Sequence, residues 1–92
     1  MSVRVRVPTP LRRFTAGVDE VAADGDSIKT VLEDLERRHP GMRERLLDEK
    51  GEVRRFVNIY LNGDDIRFLN QLNSKVKDGD DISIVPAIAG GR

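Results

Sequence analysis

The sequence contains no cysteine and only one histidine among its 92 residues. The absence of cysteine excludes disulfide bonds, thiolate metal sites, iron–sulfur clusters and a cysteine nucleophile. The single histidine, His39, has no second imidazole with which to build one of the usual zinc ligand sets. We therefore predict a domain that depends on its own hydrophobic core and binds no metal.

An excess of charge of one sign is also absent, because 16 basic residues balance 16 acidic ones. A neutral molecule has no overall field that would draw it to nucleic acid or to an anionic membrane. The arginine-rich segment (Arg4, Arg6, Arg12 and Arg13) lacks the interleaved aromatics on which bases stack, so RNA binding is a disfavoured alternative. The start of the chain lacks the apolar run of a signal peptide or membrane span. We expect a cytoplasmic protein that has protein partners and no membrane association.

The pattern of apolar residues predicts five strands and one long helix. Alternation in the first seven residues indicates a strand with one buried face, and further strands are predicted at residues 18–23, 56–61, 66–68 and 82–86. Ile28, Val31, Leu32 and Leu35 form one apolar stripe of a helix that Asp26 or Ser27 can cap. A loop is expected after Pro8, and one or two further helical turns at residues 42–47.

This order of elements, ββαβββ, predicts an α+β fold. It fits a ubiquitin-like β-grasp, in which a mixed sheet wraps around one main helix and the last strand lies parallel to the first in the middle of the sheet. We expect residues 1–86 to form this domain and residues 87–92 to form a flexible C-terminal tail.

The predicted sheet also indicates a docking surface. If Val57, Ile59 and Leu61 face the helix, then Phe56 and Tyr60 face outward, near Val85. An exposed apolar patch of this kind is typical of a partner-docking face. The alternative is that single exposed apolar residues have no role, since they are common on folded proteins. Asp64 and Asp65 are expected to be solvated charges of a hairpin.

The tail, Ala87-Ile88-Ala89-Gly90-Gly91, is the most unusual segment. Fully extended, residues 87–91 reach at most about 17 Å, which is enough to thread a carboxylate into the active site of another protein. Glycine has no Cβ, so a narrow channel admits it and an enzyme can approach its carbonyl closely. The alternative is a frayed terminus with no function.

Two stretches resemble a known family. Residues 56–63, Phe-Val-Asn-Ile-Tyr-Leu-Asn-Gly, and residues 78–91, Asp-Gly-Asp-Asp-Ile-Ser-Ile-Val-Pro-Ala-Ile-Ala-Gly-Gly, are similar to the ThiS/MoaD sulfur carriers, which end in Gly-Gly. The similarity covers essentially the whole domain and is greatest to members that serve cysteine biosynthesis in actinobacteria. Ubiquitin shares the fold and the terminal Gly-Gly more distantly.

The resemblance implies a carrier cycle in which this chain is a covalent co-substrate and not an enzyme. An E1-like enzyme would adenylate Gly91 with ATP, and sulfur would replace the adenylate to give a thiocarboxylate. The acceptor would belong to a pyridoxal phosphate-dependent synthase, and a metalloprotease would release the product. Cysteine is the expected product, with thiamin and molybdopterin as alternatives. The carrier itself would need no cofactor.

Arg92 departs from the family pattern, because it places a peptide bond where the free Gly91 carboxylate should be. Removal of Arg92 by a peptidase is the first interpretation. The others are that Arg92 is foreign to the natural protein, or that the chain is not a carrier. A ubiquitin-like protein modifier and a β-grasp interaction or RNA-binding module therefore stay open as alternative functions.

Overall fold

A computed structural model of the chain describes residues 2–86. Five strands form one mixed sheet in the order β2-β1-β5-β3-β4. Numbered along the chain, β1 to β5 cover Ser2–Arg6, Glu20–Asp24, Val57–Leu61, Asp64–Asp65 and Asp81–Pro86. The central strand, β5, pairs in parallel with β1 and antiparallel with β3. The predicted β-grasp topology, with the last strand beside the first, is confirmed.

The main helix, α1, covers Ile28–Arg38 and crosses one face of the sheet. Ser27 is the N-cap: its hydroxyl accepts a hydrogen bond from the Thr30 N–H, and the Thr30 hydroxyl accepts one from the Ser27 N–H. This reciprocal arrangement satisfies main-chain donors that the first turn of a helix leaves free. The predicted apolar stripe is fully buried. His39 is the C-cap, and Pro40, which cannot continue a helix, follows it.

The core lies between α1 and the inner face of the sheet. Alternate residues of each long strand enter it, as the period of two requires. A second short helix, α2, covers Met42–Leu46 and adds two buried side chains at its ends. The buried hydrophobic residues contributed by strands are Val3, Val5, Ala23, Ile59, Leu61, Ile82 and Ile84. The fold is therefore held by one continuous apolar layer.

One local prediction made from proline positions was wrong, and one predicted strand was confirmed with shifted bounds. The segment after Pro8 is a 3₁₀ helix over Thr9–Phe14, because Pro10 suits the first turn of a helix, where no N–H partner is needed. The second strand covers Glu20–Asp24 instead of residues 18–23. Val18 is 46% exposed and precedes the strand, whereas Val21 and Ala23 follow the inward alternation.

The predicted strand at residues 66–68 was also wrong. The strand that pairs back, β4, contains only Asp64 and Asp65, and Ile66–Phe68 is a 3₁₀ helix. The Asp65 carboxylate accepts a hydrogen bond from the Arg67 N–H (2.9 Å), which turns the chain away from the ladder after two residues. Asp65 is consequently buried, not a solvated hairpin charge as predicted.

Candidate functional site

β5 carries the chain to the predicted tail. Its neighbours hold it on both sides: Arg4, Val5 and Arg6 of β1 lie opposite residues 81–83, and β3 runs opposite residues 82–86. Ile82 and Ile84 anchor it in the core. The last described residue, Pro86, lies opposite Val57 at the start of β3. The point from which residue 87 continues is thus fixed by the centre of the sheet.

The tail residues predicted as the covalent and threading site lie outside the described residues. They are Ala87, Ile88, Ala89, Gly90 and Gly91, together with the processing residue Arg92. The predicted domain boundary at residue 86 stays a prediction for the same reason. What the structure does define is the surface next to the end of β5.

The outer face of the sheet, opposite α1, bears the three residues predicted to dock partners. Phe56 directly precedes β3 and is 54% exposed, and Val85 is 41% exposed. Tyr60 is half-buried on the same side, because Val57, Ile59 and Leu61 take the inward positions of β3. Asn58 lies directly opposite Val85. The structure therefore brings these side chains to one face, beside the end of β5, while their role in docking stays a prediction.

Basic residues border this face. Arg6 lies opposite Ser83 of β5, which in turn lies opposite Tyr60. Arg4 is held by the Asp81 carboxylate, with 3.0 Å between the Arg4 Nε and an Asp81 oxygen. Within residues 2–86, by contrast, Arg6 makes no ion pair within 4 Å. Arg6 is thus the more available of the two cations.

On its other side the face ends at an ion pair. Asp65 lies opposite Tyr60 across the β3–β4 pair, and its carboxylate is 2.7 Å from the Arg67 guanidinium. Hydrogen bonds from the Arg67 side chain, and then from the Arg67 N–H, hold the pKa of Asp65 below its usual range. The same pair raises the pKa of Arg67. Two charges therefore neutralise each other at this border.

The turn that leads into β5 is organised by a second buried carboxylate. Asp80 accepts a hydrogen bond from the Lys77 N–H (2.9 Å). That bond, followed by one from the Asn62 side chain, lowers the pKa of Asp80. The Asn62-Gly63 turn between β3 and β4 has φ angles of +52° and +91°, which are typical of a tight two-residue hairpin. Both turns thus fix the start of β5 and the end of β3.

Other chemistry is sparse in the part of the chain that the structure describes. Residues 2–86 contain no group of three His, Cys, Asp or Glu side chains placed to hold a metal ion. Over the same residues, no helix is long and apolar enough to cross a membrane. The arrangement can present a surface to a partner.

Sequence reasoning missed one surface feature. A cleft of about 220 Å³ opens between residues 52–55 and residues 65–67, beside the edge of β3. Phe68 and Leu69, which are 85% and 45% exposed, follow on one side of it. The sequence held one signal, the apolar residues Ile66, Phe68 and Leu69, but residues 66–68 were predicted to be a strand.

Comparison with known proteins identifies the family. The model of the ThiS family matches residues 5–91. The sulfur carrier protein CysO of Mycobacterium tuberculosis (strain H37Rv) is 46% identical over 93 residues, which cover 99% of this chain and all of that protein. A chain in the crystal structure of the Amycolatopsis orientalis BexX/CysO complex superposes with a TM-score of 0.90 and 44% identity, covering 97% of this chain and 99% of that chain.

A more distant relative has a different name. Small archaeal modifier protein 3 of Haloferax volcanii is 38% identical over 74 residues, which cover 80% of this chain and 75% of that protein. The family match covers residues 5–91, and the similarity to CysO extends over nearly the whole of both chains. This chain belongs to the ThiS family and is a CysO-like sulfur carrier.

Proposed function

We propose that this protein carries sulfur as a thiocarboxylate on Gly91 and donates it in the biosynthesis of cysteine. One observation carries the proposal: the chain is 46% identical to a sulfur carrier over nearly its whole length, and the family match ends at Gly91. Gly90 and Gly91 have no Cβ, so they can enter a narrow active-site channel. The carrier acts in the cytoplasm as a co-substrate of other enzymes.

The chemistry is supplied by partners. In an E1-like enzyme, an oxygen of the Gly91 carboxylate attacks the α-phosphorus of ATP, and pyrophosphate leaves. A sulfur donor then displaces AMP, so that a carbon–sulfur bond replaces the activated carbon–oxygen bond. The thiocarboxylate sulfur adds to the carbon–carbon double bond of an acceptor held by a pyridoxal phosphate-dependent synthase, which gives a thioester. The amino group of the new cysteine then attacks the thioester carbonyl, so that the sulfur leaves as the cysteine thiol and an amide links Gly91 to cysteine. A metalloprotease finally hydrolyses the bond between Gly91 and the new cysteine.

Before the first step, the peptide bond between Gly91 and Arg92 must be hydrolysed. An amide carbonyl cannot be adenylated as a carboxylate is, because it has no free oxygen anion. Removal of Arg92 by a peptidase exposes that anion. Processing of this kind would make the production of active carrier a separate, controllable event.

Partner enzymes bind the folded domain, and this binding positions the tail. Phe56, Tyr60 and Val85 form the apolar part of the docking face, and Arg6 lies across β5 from them. Because β5 is held between β1 and β3, a partner bound to this face meets the end of β5 at a fixed place. The A. orientalis relative was crystallised in complex with BexX, which supports the expectation that such chains dock on another protein.

The proposal is tested with the chain ending at Gly91. The protein is incubated with ATP, a sulfide source and the E1-like enzyme of the same organism, and its intact mass is measured. We expect the gain that replacement of the terminal oxygen by sulfur produces. The chain that retains Arg92 is the matched control and should keep its mass. Failure of the Gly91-terminated chain to form an adenylate would refute the carrier function.

A ubiquitin-like modifier is the second candidate, because of the similarity to small archaeal modifier protein 3. Both functions begin with adenylation of Gly91, and they differ in what attacks the activated carbonyl. A modifier would form an isopeptide bond with a lysine side chain. Gel electrophoresis of the same reaction, supplemented with cell extract, separates the two, since conjugates are large and a thiocarboxylate is not.

A further inference from the structure

Two arginines from different parts of the chain converge on one phenylalanine ring. Phe14 ends the 3₁₀ helix that follows β1, and the guanidinium carbon of Arg13 lies 4.9 Å from the centroid of its ring. The guanidinium carbon of Arg45, in α2, lies 5.8 Å from the same centroid. Both distances are short enough for cation–π attraction. The ring therefore holds two cations near each other, and we call Arg13, Phe14 and Arg45 the arginine patch.

The ring of Phe14 is fixed in place beside Gly41. Gly41 precedes α2 and has a φ angle of +101°, and a Cβ at this position would lie 2.7 Å from the Phe14 Cε1 atom. Glycine thus permits both the turn into α2 and the close approach of the ring. Phe14 also packs against the hydrophobic core. The patch therefore has a rigid base, which reduces the entropy lost when its side chains bind a partner.

The two cations of the patch are not neutralised by the part of the chain that the structure describes. No ion pair within 4 Å involves Arg13 or Arg45 in residues 2–86, although five other basic side chains form such pairs. The Glu36 carboxylate accepts a hydrogen bond from the Arg43 N–H (2.8 Å) and so caps α2. Glu44, the acidic neighbour on α2, lies within 4 Å of no described cation. Both arginines are exposed and available to a partner.

The chemistry of the patch suits carboxylates. A guanidinium over an aromatic ring directs its π face to the ring, and the N–H groups at its edge stay available. Such groups form paired, charge-assisted hydrogen bonds with a carboxylate. Nucleic acids, by contrast, are usually bound through many phosphate contacts, and this chain has no net positive charge. An acidic protein surface is thus the partner that the patch fits.

The patch lies at the end of the sheet from which the tail continues. β1 and β5 are parallel, with Arg6 opposite Ser83, so the 3₁₀ helix that follows β1 starts at the end where β5 stops. β2 is antiparallel to β1 and ends opposite Ser2, so α1 begins at the far end of the sheet and returns toward α2. The 3₁₀ helix and α2, which carry the patch, therefore both lie at the tail end.

The patch and the predicted docking face lie on opposite sides of the sheet. Phe14 packs beside Gly41, between α1 and α2, which places the patch on the helix side. Tyr60 and Val85 are on the outer face. The end of β5 consequently has an apolar surface on one side and a cationic surface on the other.

We propose that the arginine patch is a second docking surface for the E1-like enzyme and binds an acidic segment at the rim of the channel that receives the tail. This inference rests on the proposed function. An enzyme that takes residues 87–91 into a channel has to surround the end of β5, so its rim meets both sides of the sheet. Exposed charge pairs mainly speed association and fix orientation, and this is the role of the patch.

The test measures binding of the chain ending at Gly91 to the E1-like enzyme of the same organism, without ATP, by surface plasmon resonance. Arg13→Glu and Arg45→Glu should each raise the Kd about tenfold at about 50 mM salt, mainly through slower association, and much less at about 500 mM, because salt screens exposed charges. Arg45→Gln, which removes the charge without reversing it, should raise the Kd about threefold at the lower salt concentration.

Lys29→Glu is the matched control. It makes the same change of charge in the first turn of α1, at the far end of the domain, and should change the Kd by less than about twofold. Thermal denaturation monitors folding, and Arg13→Glu and Arg45→Glu should each change the Tm by less than about 4 °C, because substitutions of exposed side chains usually have small effects.

Four results would overturn the proposal. Unchanged binding by Arg13→Glu, Arg45→Glu and Arg45→Gln, with the thiocarboxylate still formed in the intact-mass assay, would refute the second docking surface and leave the proposed function intact. Absence of both binding and adenylation in the unsubstituted chain would refute the two together. An equal effect of Lys29→Glu would assign the result to net charge. Tighter binding of a single-stranded RNA than of the enzyme, lost in Arg13→Glu, would assign the patch to nucleic acid.

Discussion

Neighbouring residues of β5 should respond very differently to truncation. Ile84 is 3% exposed and lies in the core, whereas Val85 is 41% exposed on the outer face. Ile84→Ala removes three carbon atoms, which is about 2.5 kcal/mol of transfer free energy, and leaves a cavity that brings the cost to about 2–5 kcal/mol. Val85→Ala removes two carbon atoms that are already in partial contact with water, and should cost less than about 1 kcal/mol.

Urea denaturation at pH 7 measures this difference. A domain of this size has a free energy of unfolding of about 5–14 kcal/mol, so Ile84→Ala removes a large fraction of it. A loss of 3 kcal/mol lowers the Tm by about 12–24 °C, while Val85→Ala should lower it by a few degrees at most. Ile84→Val is a less disruptive control substitution and should lower the free energy of unfolding by about 0.5–1.5 kcal/mol.

The same variants also separate stability from docking. Val85→Ala should slow activation by the E1-like enzyme although the protein stays folded, and Ile84→Val should leave the rate per folded molecule unchanged. Equal destabilisation by Ile84→Ala and Val85→Ala would refute the assignment of the two faces of β5. An unchanged activation rate for Val85→Ala would remove Val85 from the docking face.

Three further predictions follow from single contacts. The hydrogen bond from the Asp24 N–H lowers the pKa of Asp34 in the folded state. This bond therefore stabilises the folded state above the ordinary aspartate pKa of about 3.9, and the stabilisation is lost as the pH falls through the lower folded value. Asp34→Asn should reduce the difference between the Tm at pH 7 and the Tm at pH 3. An unchanged difference would contradict that role. Gly25→Ala would place a Cβ 2.7 Å from the Val31 nitrogen at the start of α1, and should cost about 1–3 kcal/mol in urea denaturation; a neutral result would show that the helix start can shift freely. Gly91→Val, in the chain ending at residue 91, should block adenylation in the intact-mass assay and leave the Tm unchanged; a large fall in Tm would show that the tail is part of the fold.

Much of the fold could be predicted because the relevant signals are local. The stripe from Ile28 to Leu35 fixes the buried face of α1, and the alternation along β3 fixes which side chains face inward. The Asn62-Gly63 dipeptide fixes the hairpin, because its positive φ angles suit few other residues. These patterns determine the order of elements, and the order determines the β-grasp.

The features that could not be predicted depend on contacts between distant residues. Asp34 and Arg38 lie four residues apart on α1, a spacing at which opposite charges can pair, and they form an ion pair. Nothing local indicates that the same pair caps the main chain of β2. Asp65 was misjudged for a related reason, since its burial depends on Arg67 and on a chain that turns after two paired residues.

The covalent site was inferred from the Gly-Gly pair and from family resemblance, and the structure adds the surface beside it. Tyr60 and Val85 could be placed on one face because they lie on paired strands with a known alternation. The cleft beside β3 could not be predicted, because it lies where β4 ends after two residues. That ending is set by a hydrogen bond from the Arg67 N–H to Asp65, which a strand pattern does not encode.

The intact mass of the protein isolated from its own cells tests the central claim most directly. The account predicts a chain that ends at Gly91, part of which carries sulfur in place of one terminal oxygen, and a larger share of this species when the partner synthase is absent. A chain that retains Arg92 in every species, with no sulfur added, would contradict the proposal that Gly91 carries sulfur.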